Sequence, residues 1–109
     1  MSLKLPAPIA TYVIVENGND PMAMERCFAI DATVRDEGQV FEGLSAIQQW
    51  KAETKKKYQH TVEPLAYVPT QDGGVVTMRL TGKFPGSPIE VKFTFVIQDD
   101  RIKSLDIHS

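Results

Sequence analysis

The chain has 109 residues, 42% of them hydrophobic and 24% charged, with a net charge of −2 at pH 7. That length holds one core and therefore one domain, residues 1–109, and the near balance of charge gives no electrostatic reason to expect nucleic acid as a partner. The apolar runs fall far short of the roughly 20 residues that cross a membrane, the start MSLKLPAP has no apolar leader stretch, and the single cysteine, Cys27, excludes an internal disulfide, so a cytoplasmic protein off the membrane is expected.

Pro6 and Pro8 precede Ile9, Tyr12 and Val13 at helical spacing, and Asn17-Gly18 reads as a left-handed stop, which predicts a first helix over residues 6–17. Asp20-Pro21 pairs an N-cap with a first-turn proline and opens a short second helix through Met22, Met24 and Arg26. Cys27 reads as core filler rather than nucleophile. Ser45 and Gln48 have capping-box spacing, and Ile47, Trp50, Thr54 and Tyr58 recur at helical intervals, so a third helix runs to about residue 58. Its other face carries Lys51, Lys55, Lys56 and Lys57 and reads as solvated.

A strand from Phe28 would place Phe28, Ile30, Ala32, Val34 and Asp36 on one face, four apolar side chains closed by a carboxylate. Either Asp36 ends that row in an apolar interior, where desolvation would raise its pKa, or it is a turn residue accepting backbone N–H bonds beside Gly38. Beyond His60 the pattern turns to strands: Thr61 to Val68, a turn at Gln71-Asp72-Gly73-Gly74, then Val75 to Phe84. A turn at Pro85-Gly86-Ser87-Pro88 leads to Ile89, Val91, Phe93, Phe95 and Ile97 on one face, and Asp99-Asp100 leads to a last strand, Ile102 to His108. Helices first and hairpin-linked strands afterward make an α+β domain. Val62, Val75 and Val96 are expected to leave apolar area on the sheet's outer side, which invites a homodimer.

Tyr12 in ATYVIVENGND, the segment FAIDATVRDEG and the glycine-then-helix step in FEGLSAIQQW carry a resemblance to the nuclear-transport-factor-2-like superfamily, near its SnoaL-like (polyketide cyclase) and ketosteroid isomerase branches. The resemblance spans nearly the whole chain. It implies a cone-shaped roll of three N-terminal helices on a curved, mostly antiparallel sheet, with a homodimer as the common assembly. It also implies a substrate oxyanion donor at Tyr12 and a general base at Asp36, the type of chemistry that tuned carboxylates perform without a cofactor. The isomerase pattern adds a protonated aspartate on the penultimate long strand, where this chain has Phe93 or Thr94. Losing one such donor raises a barrier by about 3 to 4 kcal/mol, which argues against rapid steroid isomerisation.

Trp50, Tyr58, His60, Phe93, Phe95 and Val34 are the expected pocket-lining residues, with His60 either a pocket acid or base or a helix-end residue. His108 is expected to be exposed or frayed at the terminus. His60 and His108 form no metal-ligand spacing, so neither a metal nor another cofactor is expected. Two functions remain open on these residues. One is a cofactor-independent acid/base isomerase or cyclase acting on an apolar carbonyl compound. The other is a non-catalytic ligand-binding or dimerisation module on the same fold.

Overall fold

The computed structural model describes residues 3–108; Met1, Ser2 and Ser109 of the expected 1–109 domain lie outside the described residues. Helix α1 (Ala7–Asn17) begins behind Pro6 with a proline in its first turn and buries Ile9, Tyr12, Val15 and Glu16. Gly18 ends it in extended backbone, φ −89° and ψ −179°, rather than the left-handed stop expected from Asn17-Gly18. Asn17 serves a tertiary contact instead: its side chain brackets Val62, accepting from its N–H at 2.7 Å and donating to its carbonyl at 3.0 Å. A 3₁₀ turn, Pro21–Arg26, follows, capped as expected by Asp20, which accepts from the Met22 N–H at 3.1 Å.

Strand β1 (Phe28–Asp36) does not carry the uninterrupted apolar row that its alternation predicts. Its register against the last strand shifts between Phe28 and Thr33, and Ile30 stands 82% exposed while Phe28, Ala32 and Val34 are buried. Five steps along β1 here run beside two of β6, so the strand bulges out of the ladder and strict alternation is lost around Ile30. Glu37 and Gly38, both at positive φ (54° and 75°), then form a two-residue turn to β2 (Gln39–Glu42), a hairpin not expected from the sequence.

Helix α2 (Leu44–Tyr58) starts one residue before the expected capping box, with Gly43 at the N-cap and no side-chain cap, so Ser45 lies inside its first turn. The remaining strands are β3 (Thr61–Thr70), β4 (Gly73–Thr81), β5 (Ile89–Gln98) and β6 (Arg101–His108). His108 ends β6 in register with Lys92, exposed but bonded to Thr94 Oγ1 at 3.1 Å rather than frayed. The six strands form one sheet in the order β2-β1-β6-β5-β4-β3, parallel only between β1 and β6.

Further register shifts at Pro64/Ala66 and Val96/Ile97 bend the sheet, and the helices cover one face of it. The core between them includes Ile9, Tyr12, Phe28, Val34, Ile47, Trp50, Met78 and Phe95. Each large apolar side chain so enclosed stabilises the fold by roughly 1.5–3 kcal/mol before entropy is counted. Val62 belongs to this core as well: it pairs with Leu80, on the row of Val76 and Met78, and is 4% exposed, so it does not face outward as expected. Val75 and Val96 are half-buried. Among the described residues no helix is long and apolar enough to cross a membrane.

Candidate functional site

A cavity of about 230 Å³ opens between the helices and the bent sheet. Tyr12 and Glu16 reach it from α1, Trp50, Thr54 and Tyr58 from α2, Asp36 and Glu37 from the end of β1, and His60 from the junction of α2 and β3. The opposite wall is apolar: Leu80, Phe84, Pro85, Ile89, Phe93 and Ile107. Its size falls just below the usual range of roughly 300–1,000 Å³ for small-molecule sites, which suits a compact ligand.

Of the sequence-predicted residues, Tyr12, Asp36, Trp50, Tyr58, His60 and Phe93 line this cavity. Phe95 and Val34 do not. Phe95 is sealed off by Tyr12, whose ring meets it edge-on at 5.4 Å, and Val34 is fully buried between its strand partners Phe41 and Leu105.

Asp36 is the last residue of β1, directly before the tight turn, and its side chain accepts the Trp50 indole N–H at Oδ2, 3.1 Å. It accepts no backbone N–H within hydrogen-bond range, so the turn-acceptor alternative does not describe it. Burial raises its pKa, the Trp50 bond partly offsets that, and the charges of Glu37 and Glu16 add to the rise.

Tyr12 is fully buried, and its ring is held edge-on by Phe28 at 5.8 Å as well as by Phe95. Its hydroxyl has no hydrogen-bond partner. Burial first, and then the nearby Glu16 charge, push the phenol well above its ordinary pKa, so it stays protonated and able to donate.

Two ionisable residues of the site were misplaced or missed at the level of sequence. Glu16, which drew no notice there, is 2% exposed and lies 2.6 Å from His60 Nε2. Lys51, assigned to the solvated face of α2, is 1% exposed; its ammonium donates to the carbonyls of Glu16 at 2.6 Å and Gly18 at 2.9 Å and sits 3.8 Å from Glu16 Oε1. Lys51 thus caps the C-terminal end of α1 from a neighbouring helix.

Burial opposes ionisation of Glu16, but the His60 hydrogen bond and the Lys51 charge outweigh it and hold the carboxyl below its ordinary pKa. Burial in turn brings Lys51 down to about 8, against the pull of Glu16. The signal for both was present in the sequence. Glu16 lies four residues after Tyr12 and Lys51 four after Ile47, so each interrupts an apolar helical stripe with a charge, and the charges are opposite.

His60 is placed by close backbone packing. Gln59 closes α2 in the left-handed region, its N–H bonded to the Lys55 carbonyl at 2.8 Å. Gly82 passes so near that an added Cβ would stand 2.8 Å from the Tyr58 carbonyl and 3.0 Å from His60 Cα. Lys55 Nζ also bonds the His60 carbonyl. With Nε2 on Glu16, the ring's Nδ1 is buried without a partner, as is Glu16 Oε2. Among the described residues no three His, Cys, Asp or Glu side chains gather as metal ligands. Cys27 is buried with its thiol pushed up to about 12 by burial, and it is outside the cavity lining.

A Sinorhizobium meliloti protein, provisionally named a polyketide cyclase, is 36% identical over 95% of this chain and 95% of its own, with a TM-score of 0.91. The chain belongs to the SnoaL-like, nuclear-transport-factor-2-like superfamily. Other members of the superfamily share the fold at lower identity. A Catenulispora acidiphila protein with a ketosteroid isomerase-like fold, solved in complex with trimethylamine, matches at 21% identity over 97% of this chain and 87% of that one (TM-score 0.85). A nuclear-transport-factor-2-like protein of Cytophaga hutchinsonii matches at 11% over 99% and 91% (TM-score 0.74). No family model and no protein of curated function matches the chain.

Proposed function

We propose that this SnoaL-like protein is a cofactor-independent acid/base enzyme, of isomerase or cyclase type, acting on a compact apolar carbonyl compound. The observation that carries this reading is that Asp36, with its pKa raised by burial, and Tyr12, whose hydroxyl has no hydrogen-bond partner, line the same cavity, whose opposite wall is apolar. Asp36 takes the proton from the carbon beside the carbonyl. The C–H electron pair becomes the C=C bond of the enolate, and the oxygen receives the charge in reach of the Tyr12 O–H. Phe93 lines the cavity as an apolar wall and Thr94 bonds to His108 instead, so neither supplies the second donor of the isomerase pattern.

The test is α-proton exchange of β-tetralone in deuterium oxide, followed by NMR. Wild type is expected to accelerate it over buffer, and Asp36→Asn to lose about 10²–10⁴-fold, the usual contribution of a positioned base. Exchange no faster than in buffer would end this reading.

A second reading, retention of a small alkylammonium without turnover, is favoured by the two carboxylates Asp36 and Glu37 beside the rings of Trp50 and Tyr58. The trimethylamine complex of the Catenulispora protein of the same fold supports it. Saturable binding of trimethylamine, lost in Asp36→Asn and unaccompanied by tetralone exchange, would favour it. We also propose a homodimer, supported by the exposure of Ile30 and Val68, at 82% and 62%. A monomer by light scattering at high micromolar concentration would refute it.

A further inference from the structure

The floor and the rim of the cavity are different kinds of surface. Tyr12, Trp50 and Phe93 at the floor are at most 4% exposed, whereas Glu37, Pro85 and Ile89 stand in solvent, Ile89 at 41%. The mouth therefore lies among the β1–β2 turn, the end of α2 and residues 82–88, the loop that joins β4 to β5. Between floor and rim two half-buried rings meet, Tyr58 from α2 and Phe84 from the loop, with centroids 5.9 Å apart and planes at 87°.

That loop is fastened at its base and has room at its tip. At the base the Lys83 N–H bonds the Tyr58 carbonyl at 2.6 Å, the Gly82 N–H bonds Ser87 Oγ at 2.9 Å, and the close packing of Gly82 on Tyr58 and His60 leaves no space for a side chain. At the tip, a Cβ added to Gly86 would meet only Ile89 Cγ2, at 3.8 Å. The Phe84 ring leans on Tyr58 by edge-on contact, and a phenyl ring has no hydrogen bond to break when the two part. Rotation of one half-buried side chain is among the fastest motions of a protein, and here it would leave every bond at the base intact. We propose that Phe84 and Tyr58 are the two leaves of a gate, and that Phe84 controls the passage of a small molecule between solvent and the cavity. The fastened base holds the loop over the mouth, so the ring recloses on an occupant and separates it from water. Turnover and simple retention of a ligand both need such a passage.

Trp50 reports on the gate. It is the only tryptophan of the chain, it is 4% exposed, and it lies on the cavity floor. Acrylamide, a compact neutral molecule, quenches indole fluorescence on collision. The groove on the other side of Trp50, with Gln39, Phe41, Glu53 and Lys57, does not include Phe84, so truncating Phe84 alters only the route through the loop. A minor open state is populated at about 0.1–10%, so Phe84→Ala should raise the quenching constant by at least about tenfold, while Phe84→Tyr, which keeps the ring, should match wild type. Equal quenching in Phe84→Ala and wild type overturns the gate. A rise accompanied by faster amide hydrogen exchange throughout β1 and α2 overturns it as well, being the mark of general loosening. Should the alanine variant fail to fold, Phe84→Leu, which keeps apolar bulk at the rim without the ring edge, is read the same way. Tetralone exchange is scored separately: its absence in wild type ends the enzyme reading and leaves a gate seen by quenching in place, and exchange with unchanged quenching does the reverse.

Discussion

Glu16 on α1 and His60 at the head of β3 meet at 2.6 Å across 44 residues of sequence, and both are buried. Directly beside them Asn17 brackets Val62, so the end of α1 is fastened to β3 by one charged and one neutral set of bonds. Replacing Glu16 with Gln keeps the volume but strands the Lys51 ammonium in a site where it has only carbonyl partners. Removing one member of a buried ion pair costs about 3–5 kcal/mol, so urea melts of Glu16→Gln should show a loss of that order. A change below about 0.5 kcal/mol, the level of ordinary surface substitutions, would mean the charge is not needed there.

Asp36→Asn should act in the opposite direction. The folded pKa of Asp36 lies above its ordinary value of 3.8, chiefly because of burial, so the folded state holds its proton more tightly than the unfolded state. Stability therefore falls as pH rises above the unfolded value and Asp36 ionises more readily in the unfolded chain. Asn removes the charge and retains an oxygen for the Trp50 indole. At pH 7 its melting temperature should exceed that of wild type. The two proteins should converge once the medium is acidic enough to protonate Asp36.

How far the sequence reveals this molecule is seen best at Ile30 and Asp36. Alternation alone places both on one face, and the structure separates them, because the register of β1 against β6 shifts between Phe28 and Thr33, an irregularity that leaves no mark in the pattern. Asp36 nonetheless reaches the cavity, since regular pairing resumes at Thr33, and Val34 and Asp36 lie beyond the bulge. The order of helices and hairpins was legible from turns and periodicity, except for β2, whose turn uses Glu37 where asparagine or aspartate would announce it. Glu16 and Lys51 were missed for a different reason. A charge on an apolar stripe reads as an exposed edge until its partner on another helix is known, and that pairing is a tertiary fact.

The same pair makes a prediction about alkaline pH. Lys51 has its folded pKa lowered from 10.5 to about 8, mainly by burial. Above about 8 the folded state has begun to release a proton that the unfolded state still holds, so its contribution to stability rises with pH up to about 10.5. The Cys27 thiol works against this, because its folded pKa is raised from 9.0 to about 12 and the unfolded thiol ionises first. Between pH 8 and 9, then, the Lys51 gain is least opposed. Wild type should gain stability across that interval relative to Lys51→Met, which lacks the titrating group. Parallel stability curves for the two proteins would show that Lys51 keeps its ordinary pKa.

Tyr12→Phe separates a structural hydroxyl from a functional one. The ring contacts with Phe28, Phe93 and Phe95 at 5.8, 6.1 and 5.4 Å need no oxygen and survive the change. The hydroxyl itself is buried without a partner, a condition that costs the folded state about 1–3 kcal/mol. Phenylalanine should therefore leave stability unchanged or raise it, and above pH 10 the gain should widen. The folded pKa of Tyr12 lies above its ordinary 10.0, so wild type loses stability there as the unfolded phenol ionises first, and the variant has no such group. Over the same substitution, β-tetralone exchange should fall by about 10²–10³-fold, the effect of removing one oxyanion donor. Stability held with exchange lost marks a group kept for chemistry. If Tyr12→Phe instead melts well below wild type, the hydroxyl is bonded inside the protein, Glu16 being the nearby acceptor, and Tyr12 is no donor to a ligand.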